Sequence, residues 1–171
     1  MKNKITQVVL ALCFTIGASA QTLVTGPSTT VAPYVLPLIS GYTITSIKTA
    51  PETMGSYTIA GIPDGLGAFD NNDGTFTLLM NHEIAIPGGI TRAHGANGAF
   101  VSKWTINKST LSVTAVSDLI QNVKLWTGTT YTTFNATNPS TLAAFSRFCS
   151  ADLPAVTAYY NKATGKGTQE R

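Results

Sequence analysis

Residues Gly61 to Glu83 read GIPDGLGAFDNNDGTFTLLMNHE, two strand-like runs around Asn71-Asn72-Asp73-Gly74. Asp-Gly readily takes the positive φ of a tight hairpin turn. The pattern therefore predicts a strand over Gly65 to Asp70, a turn, and a return strand over Thr75 to Asn81. Phe69, Phe76, Leu78 and Met80 are the expected core of this hairpin. The return strand ends in Asn81-His82-Glu83, three polar residues after an apolar run. Successive side chains in a strand point to opposite faces, so His82 should oppose Asn81 and Glu83. Two readings stand: a polar strand end in water, or a strand end that delivers ligands. In the second, Asn81 and Glu83 share a site while His82 braces the loop. Asp64, between Pro63 and Gly65, flanks the same end of the hairpin.

Outward from the hairpin, Ala99 to Ile106 reads as the next strand, with Phe100, Ser102, Trp104 and Ile106 alternating against Val101, Lys103 and Thr105. Asn107 to Thr110 turns, and Leu111 to Leu119 returns with Leu111, Val113 and Ala115 on one face. Four consecutive antiparallel strands have the size and order of one β-propeller blade. The expected fold is all-β: about one complete four-stranded blade plus parts of its neighbours, since a lone blade cannot bury both faces. Before it, residues 21–39 form a Thr- and Pro-rich extended lead-in, Ser40 to Ala50 alternates weakly, and Tyr57 to Ile62 is extended. Ile86-Pro87-Gly88-Gly89 breaks the pattern and Gly95 to Gly98 reads as flexible. Further on, Trp126 to Asn138 suggests strand and loop, Ser140 to Phe148 a helical turn, and Ala155 to Tyr160 a strand. Residues 40–171 are expected to be the N-terminal part of a longer propeller.

The 171 residues suit one modest domain. Lys2 and Lys4, an apolar Val8 to Ala18 and a small-residue Ala18-Ser19-Ala20 read as a signal peptide over residues 1–20, cleaved after Ala20. The apolar run is short for a membrane span, so a periplasmic or secreted protein without a transmembrane segment is expected. Removing Lys2 and Lys4 from the 11 basic residues leaves 9 against 8 acidic ones, a net charge of about +1. No basic patch suggests nucleic acid. Cys13 leaves with the leader, so Cys149 is alone, and a lone exported thiol is a buried inert group, a metal ligand or half of a bridge.

Asp70 to Gly74 lacks the spacing of an EF-hand loop. Arg92 and His94 lie in a Gly-flanked loop, and an arginine fork suits phosphate or carboxylate. Arg147-Phe148-Cys149-Ser150-Ala151-Asp152 places a thiol beside a guanidinium, a combination that fits a soft metal next to an anion site. His82 and His94 are the only histidines. Gly-x-Ser-x-Gly, P-loop and dinucleotide fingerprints are absent from the sequence.

Gly61 to Asp70, Asp73 to Phe76, Met80 to Glu83, Arg92-x-His94-Gly95, Gly98 to Trp104 and Phe145 to Pro154 together resemble the PhoX-type alkaline phosphatase family. The resemblance implies an exported, calcium- and iron-dependent β-propeller that hydrolyses phosphomonoesters. It makes Cys149 the iron-ligand candidate and Glu83 the next metal candidate, with Asp64 and Asn81 beside them. Arg147 and Arg92 become the candidate catalytic, phosphate-binding residues. The segment Phe-Cys-Ser-Ala-Asp-Leu-Pro departs from the Asn-Cys-Ala-Gly-Gly style of better-known members. The alternatives are a non-catalytic secreted propeller that binds a partner or surface, and a lactonase- or phosphotriesterase-like metal propeller.

Overall fold

The computed structural model describes residues 22–150, Leu153, and residues 160–161, 163–164 and 166–167. The expected leader lies outside the described residues, as does most of the strand expected over Ala155 to Tyr160. Strand β1 (Thr22–Thr25) pairs in parallel with β2 (Thr43–Ser46). Two short strands, β3 (Thr53–Met54) and β4 (Tyr57–Thr58), form a small hairpin. Then come β5 (Pro63–Asp70), β6 (Thr75–His82), β7 (Phe100–Asn107) and β8 (Val113–Asp118), joined in that order as a four-stranded antiparallel sheet. A hairpin of β9 (Val123–Trp126) and β10 (Tyr131–Phe134) follows. A single 3-10 turn, Thr141–Ala143, then leads toward the antiparallel pair β11 (Tyr160–Asn161) and β12 (Lys166–Gly167). The architecture is all-β, and among the described residues no helix is long and apolar enough to cross a membrane.

The turn between β5 and β6 forms as the sequence predicts. Asp70 Oδ1 accepts from the Asn72 amide at 2.7 Å, and Asp73 Oδ1 accepts from the Thr75 amide at 2.9 Å. Both carboxylates thus complete the turn, and Asp70 also pairs with Lys108.

Register divides the sheet into two faces. Phe76 opposes Ile106, Leu78 opposes Trp104, Met80 opposes Ser102 and His82 opposes Phe100, so these eight side chains share one face. That face holds the core: Trp104, Ile106 and Val113 pack with Ile59 of the preceding segment, flanked by Tyr57, Leu78 and Val116. The opposite face carries Leu79, Asn81, Val101 and Lys103.

Three expectations need correction. Phe69 pairs with Thr77, not with a core position, so it lies on the opposite face and is exposed. Leu111 precedes β8, and a register shift between Thr105 and Ile106 sets Ile106 against Val113 but Thr105 against Ala115. One extra residue on a strand reverses its alternation, so Val113 joins the core and Ala115 is exposed. The Gly95 to Gly98 stretch is a packed junction rather than a loose loop. Gly95 and Gly98 adopt φ of +92° and +99°, and an added Cβ would lie 2.6 Å from the Asn135 carbonyl oxygen and 2.1 Å from that of Phe145. Only glycine permits both the backbone conformation and the approach. Around this junction Ala96, Phe134 and Ala143 form a second, smaller core beneath the β9–β10 hairpin.

The lead-in is fastened by one carboxylate. Glu52 accepts from the Thr29 hydroxyl at 2.6 Å, the Thr30 amide at 2.8 Å and the Thr49 amide at 2.9 Å. These bonds, the Thr29 hydroxyl foremost, lower its pKa to about 2.

Candidate functional site

The end of β6 sends its polar residues in opposite directions, as alternation requires. His82 points into the core face and is fully buried. Its Nε2 lies 2.8 Å from Ser102 Oγ, which also accepts from Trp104 Nε1 at 2.7 Å. The ring stacks on Phe100 with centroids 4.1 Å apart. The Arg92 guanidinium carbon stands 3.6 Å from the same Phe100 centroid. Two groups this close to one ring fit only on its two faces, so Phe100 separates the imidazole from the cation.

Arg92 is therefore buried against the core face, the face opposite to the one that carries Asn81. Its Nη1 lies 3.7 Å from Asp118 Oδ1, with each side chain 8% exposed. Asp118 also accepts from Tyr57 Oη at 2.7 Å and from the Ala93 amide at 2.9 Å. Desolvation and this carboxylate push the Tyr57 phenol well above its ordinary range. His94, in the same junction, is fully buried against Phe145, and neither of its ring nitrogens has a hydrogen-bond partner among the described residues. Burial lowers the pKa of both His82 and His94, so both imidazoles are held neutral. This is a cohesive internal network. Asp118 and Ser102, on which it turns, carried no signal in the sequence beyond their strand positions.

The other candidates do converge. The chain after the 3-10 turn reaches the sheet just beyond the end of β6 and, from Arg147 through Ser150 to Leu153, lies over its outer face. The Arg147 amide donates to the Ile84 carbonyl at 3.3 Å. Arg147 Nη2 lies 3.1 Å from Glu83 Oε1, the arginine mostly exposed and the glutamate mostly covered. Asn81 Nδ2 donates to the Ser150 carbonyl at 2.6 Å. Arg147 itself adopts φ of +56°, an uncommon conformation for a residue with a Cβ. Cys149 falls between these contacts and is a free, exposed thiol. Thus Asn81, Glu83, Arg147 and the Cys149 backbone share one corner. Asp64 lies at the same end of the sheet, exposed, in the irregular stretch of β5 between Pro63 and Leu66.

A calcium or iron centre requires several anionic or soft donors around one point. Among the described residues no three His, Cys, Asp or Glu side chains come together in that way. Glu83 is already engaged by a guanidinium, and the Asn81 amide nitrogen by a carbonyl. By themselves these residues do not fit such a centre. What the corner can do chemically is hold an anion at the exposed Arg147 fork. Comparison of the chain with family models, with curated proteins and with solved structures finds no match.

Proposed function

We propose that the protein belongs to an exported, metal-dependent phosphomonoesterase whose β-propeller includes this four-stranded sheet as a blade. One observation carries the reading: the Arg147–Cys149 segment folds back onto the strand end bearing Asn81 and Glu83. These are the segments that resemble the PhoX-type family, and they are distant in sequence. In this reading Arg147 receives the phosphate of the ester through its planar fork. Glu83 holds that fork in place until the substrate anion competes for it. Calcium and iron would supply charge neutralisation of the phosphoryl group, and their ligand set needs donors beyond the residues gathered at this corner.

The test is the full-length protein and its Cys149→Ala variant, each assayed for bound iron and calcium and for p-nitrophenyl phosphate hydrolysis. Loss of iron together with turnover supports the reading. A Cys149→Ala protein with wild-type turnover sinks the iron assignment, and Arg147→Ala with unchanged KM and kcat sinks the phosphate role. A second reading, a non-catalytic secreted binding protein, is favoured by the Glu83–Arg147 pair, in which a guanidinium already engages the best carboxylate. Purification free of metal, with retained binding to a glycan or protein surface, would decide for it.

A further inference from the structure

The outer face of the sheet does not simply meet solvent. Between it and the returning chain lies an open-mouthed cavity of about 390 Å³. Its floor is Gly67 of β5, Leu79 and Asn81 of β6 and Val101 of β7. Cross-strand register makes that floor continuous, since Gly67 opposes Leu79 and Asn81 opposes Val101. Leu119 and Ile120 close one side, and Phe148, Ser150 and Leu153 form the opposite wall.

The lining is mostly apolar, with one buried polar side chain. Asn81 is 9% exposed, and its Nδ2 is committed to the Ser150 carbonyl. Its Oδ1 accepts no hydrogen bond from a described residue, so Asn81 Oδ1 is an acceptor set among mostly apolar lining residues, with the Ser150 hydroxyl the other side-chain acceptor in the described lining. Gly67 matters to the shape. A Cβ there would lie 3.1 Å from Leu153 Cβ, so the missing side chain lets the wall close over the sheet. The volume falls within the roughly 300–1,000 Å³ of small-molecule sites, which pair apolar walls with few placed polar groups.

We infer that this cavity binds a small aromatic alcohol, with the ring between Leu79, Val101 and Phe148 and the hydroxyl donating to Asn81 Oδ1. An aliphatic chain long enough to fill the space would lose more rotational freedom than a rigid ring. The binding site stands independently of phosphatase chemistry. Glu83 lies two residues beyond Asn81, and Arg147 immediately precedes Phe148. If the phosphomonoesterase reading holds, the cavity accepts the alcohol released by hydrolysis, whose freed hydroxyl can donate to Asn81 Oδ1.

The probe is 2-naphthol, titrated calorimetrically into the full-length protein and followed by NMR. Saturable binding with one site is expected, shifting the Leu79 and Val101 methyl signals and the Gly67 amide. Val101→Trp fills the cavity and should weaken binding at least tenfold. Asn81→Leu should erase the preference for 2-naphthol over 2-methoxynaphthalene, which has no hydroxyl to donate. Non-saturable binding, shifts confined to other residues, or unchanged affinity in a Val101→Trp protein with a native circular dichroism spectrum each overturn the inference. The NMR arm decides the question in the wild-type protein even if a variant fails to fold. Naphthol binding without any phosphatase activity would leave the cavity standing and remove the enzymatic reading alone.

Discussion

The two faces of the central sheet are built on opposite principles. On the inner face, polar groups are sealed in and cross-linked: Ser102 serves both His82 and Trp104, and Asp118 serves Tyr57, Arg92 and the Ala93 amide. On the outer face, a returning segment rests on the sheet through a few contacts and leaves a cavity. The same four strands therefore present a rigid side and an adaptable side. Low-stability, lightly packed regions are where binding sites are usually drawn from.

The contrast is open to test by substitution. Trp104→Ala on the inner face should cost about 3–5 kcal/mol, as large core truncations do. Leu79→Ala on the outer face, where the side chain already borders a void, should cost about 1–2 kcal/mol. Equal losses in urea denaturation would erase the distinction between the faces. Asp118→Asn keeps the shape but removes the charge that balances buried Arg92, and about 2–3 kcal/mol should be lost. A value near zero would mean that the Phe100 and Tyr57 rings alone hold the cation.

Acid should act on the inner face first. His82 and His94 have pKa values lowered by burial from the ordinary 6.5. Below that ordinary value the unfolded chain takes up protons that the folded chain refuses, so stability falls as pH drops. Up to about 1.4 kcal/mol per pH unit per histidine is available. Thermal melts between pH 7.5 and 5 should show this decline, and His94→Leu should flatten it, because both nitrogens of His94 already lack partners among the described residues. An identical pH profile in that variant would assign the whole effect to other groups. The smallest effect is expected at the outer corner. Arg147→Gly relieves a positive φ while losing a mostly exposed ion pair, and the net change should stay within about 1 kcal/mol.

Much of the sheet was legible because the Asp73-Gly74 turn and period-2 alternation in β6 and β7 are local signals. The opposition of His82 to Asn81 followed from the same alternation. The bulge that turned Val113 inward was not legible, since nothing in Ser112-Val113-Thr114 marks an extra residue against the partner strand. Gly95 and Gly98 looked flexible because glycine spacing alone does not distinguish a loose loop from a close backbone approach. The site was half legible. Arg147, Cys149, Asn81 and Glu83 drew attention by chemistry, and folding gathers their segments at one corner. Arg92 drew attention for the same reason, but its partner Asp118 is 26 residues away along the chain, and the rings it packs against, Phe100 and Tyr57, come together only in the tertiary fold.

Glu52 gives the molecule an order of disassembly. Its carboxyl titrates near 2 rather than at the ordinary 4.5, so its contribution is whole above 4.5 and is lost only as pH falls from there toward 2. The imidazoles of the inner face begin to work against the fold two pH units earlier. On slow acidification the four-stranded sheet should therefore loosen while the lead-in is still clasped to the turn before β3. A partly opened molecule with its N-terminal strap fastened would refold along a shorter search than a fully released chain.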